Sequence, residues 1–140
     1  MTSSKQYLND MTVTSDHDLA LLWSTLVGEG DFDIRSLRLV IIDEAGRPAP
    51  VVVPIDDVPL VPSPAEVDSF GHFFDHLAGF GSPALLLSRP GSSEVQEHDR
   101  YWASAMAPFV TRWPMQLATQ DAFGRVVIST VSDSGRAQAS

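Results

Sequence analysis

The sequence predicts one α/β domain, a single mixed β-sheet of about five strands flanked by three helices. Three observations predict it. Stripes of apolar residues at helical spacing alternate with short apolar runs rich in Val, Ile and Leu. The resulting order is helix, two strands, helix, strand, helix, two strands, and neither a repeat nor a linker long enough for a domain boundary interrupts it. A length of 140 residues suits one core.

The elements follow in chain order. Residues Met1 to Val13 are polar without a sustained period and are expected to form a flexible N-terminus, as are residues 132–140 at the other end. Ser15 or Asp16 can cap a helix whose Leu19, Leu22, Trp23, Leu26 and Val27 share one face, and Gly28 and Gly30 end it. Leu37 to Asp43 forms a strand, Glu44-Ala-Gly-Arg47 a turn, and Pro50 to Ile55 the second arm of a hairpin. The segment Asp56 to Pro64 carries three prolines and is expected to be a stiff, acidic connector.

Ser63, with Pro64 at the first helical position and Glu66 three residues on, fits a capping box. The helix it starts presents Val67, Phe70, Phe74 and Leu77, with Phe73 beside them, and Gly79 and Gly81 stop it. Leu85 to Ser88 has the uninterrupted apolar character of a strand buried on both faces, and Arg89-Pro-Gly91 leaves it. A second capping box, Ser93 with Gln96, predicts a helix from about Glu94. Its stripe is Val95, Trp102, Met106, Phe109 and Trp113, kinked at Pro108 and ended by Pro114. Met115 to Thr119 and Arg125 to Val131 close the domain, 14–131, as a hairpin. The strands on either side of each central helix are expected to run parallel.

Composition excludes several functions. A net charge of -9, with the nine basic residues scattered singly, opposes nucleic-acid binding. The absence of cysteine excludes thiol nucleophiles, disulfides, iron-sulfur clusters and cysteine-ligated zinc. No apolar run approaches the length of a membrane span and the N-terminus lacks a signal pattern, so no membrane partner and a cytoplasmic location are expected.

Complete catalytic patterns are missing. His72 and His76 stand four apart on a helix, a spacing that can bring two imidazoles to one metal, yet Phe73 occupies the position of the glutamate in the zinc-protease pattern. Both histidines fall with Glu66, Asp68 and Ser69 on the face opposite the apolar stripe, as a solvated face would. No Gly-x-Ser-x-Gly elbow occurs, and Gly28-Glu-Gly30 lacks the rest of a phosphate-binding pattern. The acid pairs Asp31 with Asp33 and Asp56 with Asp57 lie in loops. Asp99 differs, because it sits on the apolar stripe between Val95 and Trp102. A shielded carboxylate must be paired or protonated, and Arg89, Arg100 or loop amides are the candidate partners.

The course Leu37 to Arg47, a second strand, a helix, Leu86-Leu-Ser-Arg-Pro-Gly91 and then a helix with Asp99 resembles the JAB/MPN domain in its bacterial RadC-type version. In that family the loop after the strand carries His-x-His-Pro, and a Ser-x-x-Asp follows on the next helix. Together they hold zinc, and an earlier glutamate activates water. Here Pro90 matches the proline, and Asp99 matches the aspartate if the loop is one residue shorter. Leu87 and Arg89 stand at the histidine positions, Gln96 at the serine, and no carboxylate in the hairpin matches the glutamate. Neither leucine nor a permanently charged arginine replaces an imidazole, so the resemblance implies the fold with a dead site.

The function expected is therefore a non-catalytic protein-protein interaction or regulatory module, with no catalytic residues, metal or cofactor. Ser88, Arg89, Gly91 and Asp99 are its candidate binding residues, beside the acidic connector. A protein partner is expected, a second copy included, through the sheet edge or the aromatic helix. Two alternatives remain open at this level. One is a metal-dependent hydrolase using His72, His76, His98 and Asp99, although His98 and Asp99 point about 100° apart on a helix. The other is a sensor in which Arg89 binds a small anion at a helix N-terminus.

Overall fold

The runs Leu37 to Ile42 and Ala84 to Leu87 lack polar alternation, the mark of strands covered on both faces, and a computed structural model places both at the centre of one sheet. Residues 11–27, 32–49 and 52–131 are described. Their elements are α1 (Asp16–Leu26), β1 (Ser36–Ile42), β2 (Val53–Asp56), α2 (Pro64–Leu77) with a 3₁₀ turn at Ala78–Phe80, β3 (Ser82–Ser88), α3 (Glu97–Met106), β4 (Gln116–Gln120) and β5 (Val126–Thr130). Among the described residues no helix is long and apolar enough to cross a membrane.

The sheet is mixed, with strand order β2-β1-β3-β4-β5. β1 pairs antiparallel with both β2 and β3, β3 pairs parallel with β4, and β5 returns antiparallel along β4. The expectation for strands flanking a helix holds for β3 and β4. Around α2 the two strands share a direction but are separated by β1.

Alternation divides the side chains between two cores. Leu37, Leu39, Ile41, Leu85, Leu87 and Leu117 pack with Phe74, Trp102 and Met106 of α2 and α3. Val40, Ile42, Ala84, Leu86 and Ala118 pack with Leu19, Leu22 and Trp23 of α1. The three helices therefore sandwich the sheet. Aromatic rings join α2 to its neighbours, with Phe74 and Phe109 stacked at 5.3 Å between centroids and Phe70 edge-on to Trp102 at 6.1 Å.

The caps of α1 and α2 form as their residues dictate. Ser15 Oγ accepts from Asp18 N, and Ser63 and Glu66 complete the reciprocal box. The start of α3 differs from expectation. It begins at Glu97, and its capping box pairs Gln96 with Asp99 rather than Ser93 with Gln96. Ser92 and Glu94 turn their carbonyls onto the Arg89 side chain, which withdraws this segment from a helix. Nor does α3 continue through Pro108. It ends at Met106, because proline lacks the donor and clashes with the preceding turn. Trp113 accordingly leaves the predicted stripe and joins the core under α1.

β3 starts at Ser82, earlier than the apolar run alone indicates. Pro83 is tolerated because β4 pairs only with Leu86 to Ser88, leaving that edge of the strand without a ladder to interrupt. Val13, expected in a loose terminus, is instead buried and donates to Gly46 O at 2.7 Å. The connector after β2 is irregular, as its prolines require, and it is pinned. Val58 N donates to Arg35 O at 3.0 Å, and Trp102 Nε1 to Pro59 O at 2.8 Å. Gly28, Gly30, Asp31, Pro50 and Val51, and the two expected tails at 1–10 and 132–140, lie outside the described residues.

Gly81 joins the 3₁₀ turn to β3 at φ 142° and ψ -161°, a region essentially reserved for glycine. A Cβ there would lie 2.6 Å from Ile42 O. Gly81→Ala should therefore lower the unfolding free energy by about 2 to 3 kcal/mol, read as a lower urea midpoint at unchanged m-value.

Candidate functional site

β3 and β4 are parallel neighbours, so the loop leaving β3 emerges at the carboxyl end of the sheet, where open α/β sheets hold their ligands. Ser88, the last residue of β3, is fully buried between Ser36 and Ala118, and its hydroxyl has no hydrogen-bond partner among the described residues. Arg89 N reaches across to Ala118 O at 3.3 Å. The backbone then turns outward while the Arg89 side chain turns in, to 2% exposure.

A buried guanidinium has five N–H groups to satisfy. Nε and Nη2 of Arg89 donate side by side to Oδ1 and Oδ2 of Asp99, each at 2.8 Å. Nη1 donates to Pro90 O at 3.0 Å and Ser92 O at 2.8 Å, and Nη2 donates again to Glu94 O at 3.0 Å. All five are used. The loop from Pro90 to Glu94 is thus wound around its own first side chain, and Gly91, at φ 99°, makes the turn that a side chain would strain.

Asp99 has no exposed surface, and it has two tasks. Besides receiving Arg89, its Oδ2 accepts from Gln96 N at 2.8 Å, which caps α3. A negative charge at that position also faces the positive end of the helix dipole. Two further basic side chains approach Oδ1, with Arg35 Nη1 at 3.7 Å and His98 Nδ1 at 3.4 Å. Among the described residues neither nitrogen has a hydrogen-bond partner. His98, expected to point away from its neighbour's carboxylate, is therefore within ion-pair distance of it.

These contacts set the ionisation. Burial alone would push the Asp99 carboxyl up, but the Arg89 hydrogen bonds and the Gln96 amide outweigh it and hold the group below the ordinary carboxylate range. The Arg35 guanidinium is shifted down, chiefly by its own burial, against the attraction of Asp99 and with the repulsion of Arg89. Two arginines share one carboxylate here.

The other candidates are not brought together. His72 and His76 lie on the exposed face of α2, their Nδ1 atoms 2.9 Å and 2.8 Å from the carbonyl oxygens of Asp68 and His72. Among the described residues no group of three or more His, Asp or Glu side chains has the geometry to hold a metal. Asp56 accepts from Ser36 Oγ at 2.9 Å, which ties β2 to β1 rather than forming an acid pair with Asp57. Arg100, offered as a partner of Asp99, makes no contact with it that compares with that of Arg89.

Sequence reasoning missed Arg35, which looked like one of nine scattered cations. Its position just before β1 is the only local signal, and only the antiparallel pairing of Ser36 with Ser88 brings it beside the β3 loop.

The arrangement gives Asp99 a signed pH dependence. Its proton affinity is lower in the folded state, so the stability it confers is complete above the unfolded carboxyl value of about 3.9 and is lost as pH falls through the depressed folded value. In urea unfolding from pH 7 to pH 2.5, Asp99→Asn should be destabilised at neutral pH by about 3 kcal/mol and show a shallower loss below pH 4 than the parent chain. Compared with protein-family models, with curated proteins and with solved structures, the chain matches none.

Proposed function

We propose that the chain is a non-catalytic protein-protein interaction or regulatory module with a degenerate JAB/MPN-like fold, in which an arginine has taken the place of the metal. The observation that supports this best is the saturated Arg89 guanidinium, whose five N–H groups all end on Asp99 and on the loop itself. In the family the chain resembles, a cation bound to a helix aspartate ties the loop after the strand to the next helix. Arg89 makes that same tie to Asp99 with a cation built into the chain. It cannot coordinate a metal, and its charge would repel one.

The same saturation argues against an anion sensor built on Arg89, since a ligand would have to displace a bidentate carboxylate or three backbone carbonyls. A hydrolase using His72, His76, His98 and Asp99 has little support, because Asp99 is already committed and the α2 histidines bond back along their own helix. The partner is proposed to be a protein, a second copy of the chain included. The net charge of -9 argues against nucleic acid, and a cytoplasmic location is proposed on the lack of a long apolar run in the sequence.

Metal analysis of protein purified without a histidine tag tests the proposal. We expect zinc far below one equivalent per chain and the same thermal midpoint with and without a chelator. Stoichiometric zinc that disappears in His72→Ala or Asp99→Asn would establish the hydrolase reading instead.

A further inference from the structure

Between α2, α3 and the connector lies an open groove of about 800 Å³. Its floor is apolar, built from Val61, Pro62, Val67, Ala105 and Phe109, with the Tyr101 ring along one side. Gly71 lets α2 approach the turn that follows α3, since a Cβ on it would lie 3.2 Å from the Phe109 ring. Val61 is 53% and Tyr101 47% exposed, so large apolar surface stays in water.

The rim has one sign of charge. Asp68 and Asp75 line the groove from α2, and Glu97 on α3 accepts the Tyr101 hydroxyl at 2.6 Å. Among the described residues no Lys or Arg lines the groove. His72 lies beside Asp68, its Nδ1 3.8 Å from Oδ2. An apolar floor within an acidic rim repels phosphate and anionic lipid and favours cations carried on an apolar body.

We infer that this groove docks a basic amphipathic segment of a partner protein, with a bulky apolar side chain on the floor and Lys or Arg facing Asp68 and Asp75. The inference rests on the interaction-module reading and names its surface and the chemistry of its partner. A second groove of about 510 Å³ between β2 and α2, lined by Val53, Ile55, Phe70 and Phe73, lacks this polarity. Its one carboxylate, Glu66, is occupied in capping Ser63.

A labelled amphipathic helical peptide of Leu and Lys serves as the probe, with its Leu and Glu counterpart as the control, read by fluorescence anisotropy and by amide shift mapping of the full chain. The Leu/Lys peptide should bind and perturb residues 61–75 and 101–109. Asp68→Asn with Asp75→Asn should weaken it about fivefold, as two exposed ion pairs would. Asp33→Asn with Glu44→Gln, which changes net charge equally on exposed residues outside the groove, should leave affinity unchanged. Val61→Ser should weaken binding further without altering the melt. Equal binding of both peptides, shifts centred on the β2–α2 groove, no binding, or equal loss in both charge variants would overturn the inference. None of these results bears on the zinc measurement, so the module reading stands or falls separately.

Discussion

A guanidinium removed from water must find acceptors for five N–H groups and an opposite charge at once, and this requirement shapes the whole carboxyl end of the sheet. Arg89 is two per cent exposed, and Asp99 is its counter-charge. Three backbone carbonyls supply the remaining acceptors, which fixes the path of residues 90–94. The same carboxylate caps α3, so the loop, the helix start and the end of β3 are held by one cluster. Removing Asp99 leaves the buried Arg89 guanidinium without its counter-charge, and removing Arg89 leaves Asp99 only the longer contact with Arg35 at 3.7 Å.

Trp102, one turn after Asp99 on α3, is fully buried against the sheet and pins the connector through Pro59 O. Arg35, from just before β1, leaves the cluster with more positive than negative charge. The groove between α2 and α3 is formed by helices whose starts are set by two capping boxes, one of them built on Asp99 itself.

Much of this was legible in the residues. The apolar runs, the Ser63 box and the glycines bounding α2 carry local signals strong enough to survive tertiary context. Asp99 announced itself by lying on an apolar stripe, and Arg89 was among the partners expected for it. The start of α3 was misplaced because Ser93 and Gln96 form an equally good local box, and only the demand of Arg89 for carbonyls decides against it. Trp113 was misassigned because its spacing continues a helical stripe that Pro108 prevents. Arg35 and the groove depend on which strands pair and on how α2 packs against α3, information that spacing along one chain does not contain.

The central claim is that Arg89 and Asp99 serve each other, leaving neither free for a metal or ligand. A double-mutant cycle with Arg89→Met and Asp99→Leu, read by urea unfolding at pH 7, tests it most directly. Each single change should cost about 3 to 5 kcal/mol, and the pair should cost well below the sum, with a coupling of about 2 kcal/mol or more. If Arg89→Met unfolds within about 0.5 kcal/mol of the parent chain and the coupling is near zero, Arg89 is not committed to the fold and the account is wrong.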